Sequence, residues 1–326
     1  MRAALARTIR TTPALGARAA ALSDTYRAGA APADGRGHIH DAETAAAYAA
    51  ARMPATHAAI LRALTATATQ LSAFGPASLL DLGAGTGAAT WAALETWPGL
   101  ERLTLIEREP AAIDLGRRIA AAASPTSLDA ATWQAADIGA APLPAADLVV
   151  AAYVLGELGD DVRGAIVDRV WAATSSLLVL VEPGSRAGFE RIRTAREALI
   201  NAGGHVVAPC PGDDPCPIED PAWCHFLARL DRSPLQRRAK SATRSWEDEP
   251  FSYVAVSRTP GEPAPRVVLG RPRRRPGIVE LRICADGRIE RRILSRRDGP
   301  AYHAARDLVW GDPVSASIRI AGASET

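Results

Sequence analysis

Short apolar runs alternate with amphipathic stretches through the middle of the chain. The apolar runs predict strands at 78–82, 102–107, near 132–135, 147–152, 177–182 and 205–208. The amphipathic stretches predict helices at 88–96, 109–122, 160–173 and 186–201. Strands that alternate with helices in this way are typical of a mostly parallel sheet with helices on both faces. The pattern therefore predicts an α/β fold.

Helical spacing of apolar residues also predicts a helical region before these strands, interrupted at Pro54. After residue 208 the alternation stops. The later elements are predicted as a basic helix at 225–240, a strand at 251–256, a short strand at 266–269, a hairpin of 278–284 with 288–294, and a helix at 300–309. We therefore divide the chain into an N-terminal helical cap at 1–73, an α/β domain at 74–258 with an insertion at 209–240, and a small C-terminal β module at 259–326.

Charge is spread unevenly over the chain, which has 326 residues and a formal net charge of only +2. Residues 1–228 carry 18 basic and 24 acidic side chains, a balance of −6. Residues 229–298 carry 18 basic and 9 acidic side chains, a balance of +9. A basic segment in a nearly neutral protein suggests a face that binds a polyanion. A solvated arginine-rich surface is the alternative, because 37 of the 38 basic residues are arginine.

No run of 18 apolar residues lacks a charge, so we expect no transmembrane helix and no membrane partner. The first 23 residues contain four arginines and no acid, which resembles a transit peptide, although we interpret them as an ordinary alanine- and arginine-rich segment. No secretory signal pattern is visible. We therefore expect a cytoplasmic, reducing compartment and a protein that is monomeric when free.

The most informative stretch runs from Leu79 to Gly87 and reads Leu-Leu-Asp-Leu-Gly-Ala-Gly-Thr-Gly. A buried strand ends there, three glycines stand at alternate positions, and helical sequence follows. In α/β sheets, a strand, a glycine loop and a helix hold a nucleotide-like cofactor at the carboxyl end of the strand. Glycine is needed because a Cβ would keep the backbone away from the ligand and forbid some dihedral angles. The candidate cofactor-binding residues here are Asp81, Gly83, Gly85 and Gly87.

Two carboxylates at later strand ends extend this site. Glu107 ends the next strand, where it can accept hydrogen bonds from both hydroxyls of a ribose. The order Asp-Leu-Gly-x-Gly-x-Gly looks like the first motif of class I methyltransferases, which favours S-adenosylmethionine as the cofactor. In such enzymes an acid near the adenine amino group stands where this chain has Asp137. A nicotinamide dinucleotide is the alternative, since Gly83-x-Gly85-x-x-Ala88 also fits the dinucleotide fingerprint.

No catalytic constellation accompanies this cofactor site. At the end of the fourth strand, Tyr153 or Glu157 could face a methyl acceptor, and both could equally be structural. The Asn/Asp-Pro-Pro-aromatic motif of amino-group methylation in nucleic acids is absent at this position. Methylation of pyrimidine C5 needs a nucleophilic cysteine, and all four cysteines of this chain are also candidate metal ligands. The catalytic residues are therefore unknown, and methyl transfer is inferred from cofactor binding alone.

The four cysteines are Cys210, Cys216, Cys224 and Cys284. The first three fall within 15 residues, in a segment of prolines and acids that cannot order itself by burying apolar surface, but that a bound metal can order. Four thiolates suit either tetrahedral zinc or an iron–sulfur cluster. The spacing is wider than the Cys-x2-Cys of zinc ribbons, so it is compatible with the larger group as well as with zinc. His225 is a further candidate ligand, although a structural role is commoner for such a histidine.

The cysteine segment also carries a resemblance to one family. The strings Ala-Pro-Cys-Pro-Gly-Asp-Asp-Pro-Cys-Pro at 208–217, Trp-Cys-His-Phe at 223–226 and Glu-Asp-Glu-x-Phe-Ser-Tyr at 247–253 stand out. They resemble the mitochondrial small-ribosomal-subunit methyltransferase-like assembly factors, the Rsm-twenty-two family, of which this chain looks like a bacterial member. Further matching stretches are 22–27, 47–56, 181–185 and 310–312. The resemblance covers about residues 22 to 312.

The resemblance implies a class I methyltransferase fold with a Rossmann-like sheet and association with the small ribosomal subunit and its RNA. It also implies a [4Fe-4S] cluster whose ligands map onto Cys210, Cys216, Cys224 and Cys284; spacing alone does not separate this from zinc. Gly212 stands where family members often carry a histidine, which favours a four-cysteine ligand set because glycine cannot ligate.

Our leading hypothesis from the sequence is an S-adenosylmethionine-dependent methyltransferase-like protein that acts on small-subunit ribosomal RNA or its assembly, with a structural [4Fe-4S] cluster. The alternative is a non-catalytic assembly factor that binds S-adenosylmethionine and RNA. In either case the basic side chains of the insertion are expected to face phosphates. These are Arg229, Arg232, Arg237, Arg238 and Lys240.

Overall fold

The computed structural model describes residues 1–28, 39–123, 127–210, 212–261, 266–285, 287–314 and 318. The α-helices are α1 (Arg2–Thr8), α2 (Pro13–Ala28), α3 (Ala42–Ala51), α4 (Met53–Gln70), α5 (Ala88–Thr96), α6 (Pro110–Ala122), α7 (Asp160–Ala173), α8 (Arg186–Asn201), α9 (Pro234–Ala239) and α10 (Pro300–Asp307). The strands are β1 (Ser78–Leu82), β2 (Arg102–Glu107), β3 (Thr132–Ala135), β4 (Ala146–Ala152), β5 (Thr174–Pro183), β6 (His205–Ala208), β7 (Phe226–Asp231), β8 (Trp246–Ser257), β9 (Arg266–Val268), β10 (Arg273–Arg275), β11 (Ile278–Ala285), β12 (Arg288–Ser295) and β13 (Pro313–Val314).

The main sheet has the strand order β3-β2-β1-β4-β5-β8-β6. Its first five strands are parallel, whereas β8 runs antiparallel to β5 and β6. All five residues of β1 are buried, as expected for a central strand that is covered by helices on both faces. The predicted α/β fold is therefore confirmed as a parallel-rich mixed sheet, and β1 lies near its middle.

The predicted basic helix at 225–240 is wrong. Residues 226–231 form strand β7, which pairs antiparallel with the first half of β8, and only Pro234–Ala239 is helical. Phe226, Ala228 and Leu230 are buried and alternate with more exposed residues, so their period is two rather than 3.6. Ser233 then caps the short helix, because its hydroxyl accepts a hydrogen bond from the amide of Gln236.

The helices before β1 pack onto the main sheet domain. The predicted interruption of the helical region is present, because α3 ends at Ala51 and α4 begins at Met53. Pro54 lies in the first turn of α4, where proline needs no amide partner. Helices α1 and α2 were not predicted individually, and the Arg7 guanidinium of α1 donates to the carbonyl of Ala122 at the end of α6. No described helix is both long enough and apolar enough to cross a membrane.

The later strands form a second, antiparallel sheet of order β10-β11-β9-β13, with β12 on β11. The predicted hairpin is present as β11 and β12, and its turn residue 286 lies outside the described residues. One face of this sheet packs on its own apolar core. That core includes Val268, Val279, Leu281, Ile283, Leu294 and Ala305.

Candidate functional site

The glycine loop joins β1 to α5. Gly83, Gly85 and Gly87 have φ values of +63°, +54° and +90°, in the left-handed region that disfavours other residues. Space is limiting as well, since a Cβ on Gly83 would lie 2.0 Å from Cγ2 of Val154, which follows β4. The loop therefore needs glycine at 83 for two independent reasons.

Asp81 lies beneath the loop and anchors the helix that follows it. The side chain is buried, and Oδ2 accepts hydrogen bonds from the amide of Thr90 at 3.0 Å and from its hydroxyl at 2.7 Å. Burial raises the pKa of Asp81 to about 6. The carboxylate thus fixes the first turn of α5 relative to β1.

Glu107 ends β2 and contacts the glycine loop directly. Its Oε2 accepts a hydrogen bond from the amide of Gly85 at 2.8 Å, and its Oε1 accepts one from the amide of Glu109 at 2.9 Å. Burial raises the pKa of this carboxyl group. Each carboxylate oxygen has a second lone pair, so the group can still accept hydrogen bonds from two ligand hydroxyls.

Asp137 occupies a different setting from Glu107. Ala135 is the last residue of β3 to pair with β2, and it lies opposite Glu107. Asp137 comes two residues later in the chain. The side chain is exposed, and its Oδ1 accepts a hydrogen bond from the amide of Gly139 at 2.7 Å. The structure thus joins Glu107 to the glycine loop and places Asp137 in the turn after β3.

The N-terminal helices cover the glycine loop, which the sequence analysis did not anticipate. The hydroxyl of Thr86 is buried and donates to Sδ of Met53 at 3.1 Å. A Cβ on Gly85 would lie 4.0 Å from Cε1 of Tyr48, and burial raises the pKa of this tyrosine to about 12. The matching stretch at 47–56 was the available signal, because it contains both side chains.

The carboxyl ends of β4 and β5 carry several titratable side chains. Tyr153 has a φ of +61°, unusual for a residue with a Cβ, and its buried hydroxyl has no hydrogen-bond partner among the residues that the structure describes. Glu182 is buried and accepts from Nε of Arg191 at 2.6 Å and from the amide of Leu155 at 3.0 Å. These contacts hold the turn after β4 in place.

Glu157 is the more open carboxylate at this end of the sheet. Its side chain is one-third exposed (34%), and Nη2 of Arg108 lies 3.9 Å from its Oε2. Partial burial raises the pKa of Glu157 to about 7. A carboxyl group with this pKa can exchange a proton near neutral pH.

All four cysteines line a single cavity of about 50 Å³. Burial raises the pKa of Cys210 and, more strongly, that of Cys224, and repulsion from neighbouring thiolates adds to the rise at Cys224. Within the described ranges, no three His, Cys, Asp or Glu side chains are grouped closely enough to hold a metal ion. The structure therefore brings the predicted cysteines together, but it does not show the predicted metal-binding insertion.

Arg196 of α8 ties the cysteine loop to the main domain. It is buried, and its Nη2 donates to the carbonyls of Gly212 at 2.8 Å and Asp214 at 2.7 Å. The side chain also lines the cysteine cavity and hydrogen-bonds with Cys210. His225, by contrast, packs between two tryptophans, with ring centroids 5.7 Å from Trp223 and 4.6 Å from Trp310.

The basic residues of the insertion divide into two groups. Arg232 and Lys240 pair with Glu247 at 2.9 and 2.6 Å and are only 15% and 16% exposed. The expectation that both face phosphates is therefore wrong, because both side chains are mostly buried and share Glu247 as their partner. Arg237 and Arg238 are exposed on α9. Arg229 is exposed, pairs with Asp248 and lies 4.1 Å over the ring of Trp246.

A family model described as mitochondrial small ribosomal subunit Rsm22 matches residues 42–315. The chain is 31% identical over 287 residues to the human "Ribosome assembly protein METTL17, mitochondrial", a match that covers 81% of this chain and 61% of the relative. It is 26% identical over 289 residues to "Rsm22-cox11 tandem protein 2, mitochondrial" of Schizosaccharomyces pombe, covering 72% of this chain and 38% of the relative. The chain thus spans about three fifths of the human relative and two fifths of the yeast one.

Solved structures of methyltransferases are similar at a lower level. Magnesium protoporphyrin IX methyltransferase from Synechocystis PCC 6803 with bound SAH has a TM-score of 0.42 at 10% identity, covering 73% of this chain and 94% of that one. Precorrin-6y C5,15-methyltransferase from Geobacter metallireducens has a TM-score of 0.40 at 18% identity, covering 60% and 86%.

Proposed function

Because the chain belongs to the Rsm22 family, we propose that it is an S-adenosylmethionine-binding, methyltransferase-like protein that acts on small-subunit ribosomal RNA or on its assembly. The observation that carries this proposal is the contact between Glu107 and Gly85 at the carboxyl ends of β1 and β2. It joins a carboxylate suited to ribose hydroxyls with a loop that admits a ligand close to the backbone. The proposed partners are the small ribosomal subunit and its RNA.

In this proposal S-adenosylmethionine supplies an electrophilic methyl group, and the chain binds and orients it. Glu107 accepts hydrogen bonds from the ribose hydroxyls, while the glycine loop admits the ligand. Tyr48 and Met53 cover the loop and exclude water from it. Glu157, with its pKa of about 7, is the group best suited to take up a proton from a methyl acceptor.

A second candidate function is non-catalytic assembly of the small subunit, with the cofactor pocket in a structural role. The side chains near the carboxyl ends of β4 and β5, where a methyl acceptor would lie, favour this function. Several of them are buried and already form ion pairs or hydrogen bonds. Glu182 is held by Arg191, and Glu249 is held by Arg52 at 2.9 Å. Such ion pairs fix the fold around a pocket but do not provide a free base.

We further propose that the four cysteines hold a [4Fe-4S] cluster, with zinc as the alternative. The observation that supports this proposal is that all four cysteines line one cavity, where their thiolates can be ligands of a single metal centre. The Arg196 guanidinium lines the same cavity, and its positive charge also suits an anionic sulfur cluster.

Association with the small subunit can be tested by co-sedimentation of the purified chain with small ribosomal subunits and their precursors. We expect the chain to travel with these particles at moderate salt. Mass mapping of ribosomal RNA then separates the two candidate functions. A methylated nucleotide that is lost on Glu107→Gln would establish the enzyme, whereas particle binding without any lost methyl group would establish the non-catalytic factor. A chain that never travels with the particles would contradict both.

A further inference from the structure

The outer face of the C-terminal sheet is formed by the side chains that point away from its apolar core. Strand register places Arg273 opposite Glu280, Arg275 opposite Ile278 and Arg282 opposite Arg291. Residues that pair directly across strands share a face. We define the outer face by these residues together with the two further exposed isoleucines of β12. Its members are Arg273, Arg275, Ile278, Glu280, Arg282, Ile289, Arg291 and Ile293.

The outer face is strongly basic. It carries four arginines and one glutamate, a balance of +3. Glu280 accepts from Nε of Arg291 at 2.8 Å, and Arg291 remains 63% exposed. Arg282 and Arg291 stand directly opposite each other, and like charges in that position destabilise a sheet. An anionic partner would relieve this repulsion.

The outer face is also unusually apolar for an exposed surface. Among the described residues, six large hydrophobic side chains are exposed, and three of them are Ile278 (40%), Ile289 (36%) and Ile293 (59%). They stand between the arginines rather than forming one continuous apolar patch.

We propose that the outer face binds the sugar-phosphate backbone of small-subunit ribosomal RNA. The four arginines contact phosphates, and the isoleucines pack against riboses. This rests on the proposed function, which supplies the RNA, and it moves the RNA contact away from Arg232 and Lys240. RNA fits better than a protein partner, because the net charge of +3 on the outer face complements the phosphates that dominate binding to nucleic acids.

Strand geometry supports phosphate binding. Arg273 and Arg275 lie two residues apart on β10, so their Cα atoms are separated by roughly 6.8 Å. Both side chains are exposed, whereas Arg274 between them donates to the carbonyls of Arg306 and Leu308. Two exposed guanidiniums at this spacing can each contact a phosphate of the same strand.

The test compares charge-matched double variants of the full chain in binding to small-subunit ribosomal RNA over a range of salt concentrations. Removing two phosphate contacts with Arg273→Gln/Arg275→Gln should lower the salt slope by about 1.8, which corresponds to roughly 30-fold weaker binding at 0.15 M salt. The matched control is Arg117→Gln/Arg118→Gln on α6, beside β2 and β3, and it should bind as the wild type does. Equal unfolding midpoints establish that both variants fold.

Three other outcomes overturn the proposal in distinguishable ways. If the wild type binds and the β10 variant binds equally well, the outer face is not the RNA site, and the proposed function stands. If Ile289→Ser/Ile293→Ser prevents binding to whole subunits while the β10 variant still binds naked RNA normally, the face docks a protein. If the wild type binds neither RNA nor subunits, the proposed function fails and this inference fails with it.

Discussion

Replacing Gly83 with alanine adds one methyl group where the structure leaves no room for it. The backbone at Gly83 has a φ of +63°, which costs a residue with a Cβ about 1–2 kcal/mol. The new Cβ would also lie 2.0 Å from Cγ2 of Val154, and overpacking of this kind costs about 1–3 kcal/mol. We therefore expect Gly83→Ala to lower the free energy of unfolding by about 2–5 kcal/mol.

Gly203 provides the matched control for this prediction. Its φ of +79° is also left-handed, but a Cβ there would meet no atom of the described part of the chain within 4 Å. Gly203→Ala should therefore show only the backbone cost of about 1–2 kcal/mol. Urea unfolding, with the slope and midpoint fitted for each variant, measures both changes. A Gly83→Ala protein no less stable than the Gly203→Ala protein would refute the packing described at the glycine loop.

Three further predictions concern the cofactor and cysteine sites. Glu107→Gln should weaken binding of S-adenosylmethionine at least tenfold in calorimetry, because hydrogen bonds to a charged group contribute about 1.5–3 kcal/mol; unchanged affinity would remove Glu107 from the site. Asp81→Asn keeps an acceptor for Thr90 but cannot ionise. Since the pKa of Asp81 is raised from 3.8 to about 6, its contribution to stability is present below pH 4 and lost as the pH rises through 6. The variant should therefore gain about 3 kcal/mol on the wild type between pH 4 and pH 7 in urea unfolding, and parallel pH profiles would contradict this. Cys284→Ser should lower the iron and sulfide content of protein purified without oxygen, because Cys284 lines the cysteine cavity; iron content equal to that of the wild type would argue against the cluster.

The parallel part of the sheet could be predicted because its signal is local. Leu79, Leu80 and Leu82 form an apolar strand that ends in glycines, and β1 has the predicted bounds. Strand β7 was missed because its alternation of buried residues lies in an arginine-rich stretch that also suits a helix. Pairing with β8 decides that this stretch is a strand and not a helix, and that pairing joins residues far apart in the sequence.

Part of the candidate site could likewise be predicted from local sequence, and part depends on tertiary packing. The glycines and Glu107 follow from a short motif and from the carboxyl ends of adjacent strands. The cover formed by Tyr48 and Met53 depends on tertiary packing of α3 and α4, which spacing along the chain does not reveal. Cys284 reaches the cavity only because β11 of the second sheet carries it there, 60 residues after Cys224.

The most direct test of the account is a calorimetric titration of the purified full chain with S-adenosylmethionine, and with NADH in a parallel experiment. We expect S-adenosylmethionine to bind one equivalent per chain and more tightly than NADH, since Glu107 and the glycine loop form one ligand site. Tighter binding of NADH, or no binding of S-adenosylmethionine, would contradict the assignment of this pocket and the methyltransferase-like function with it.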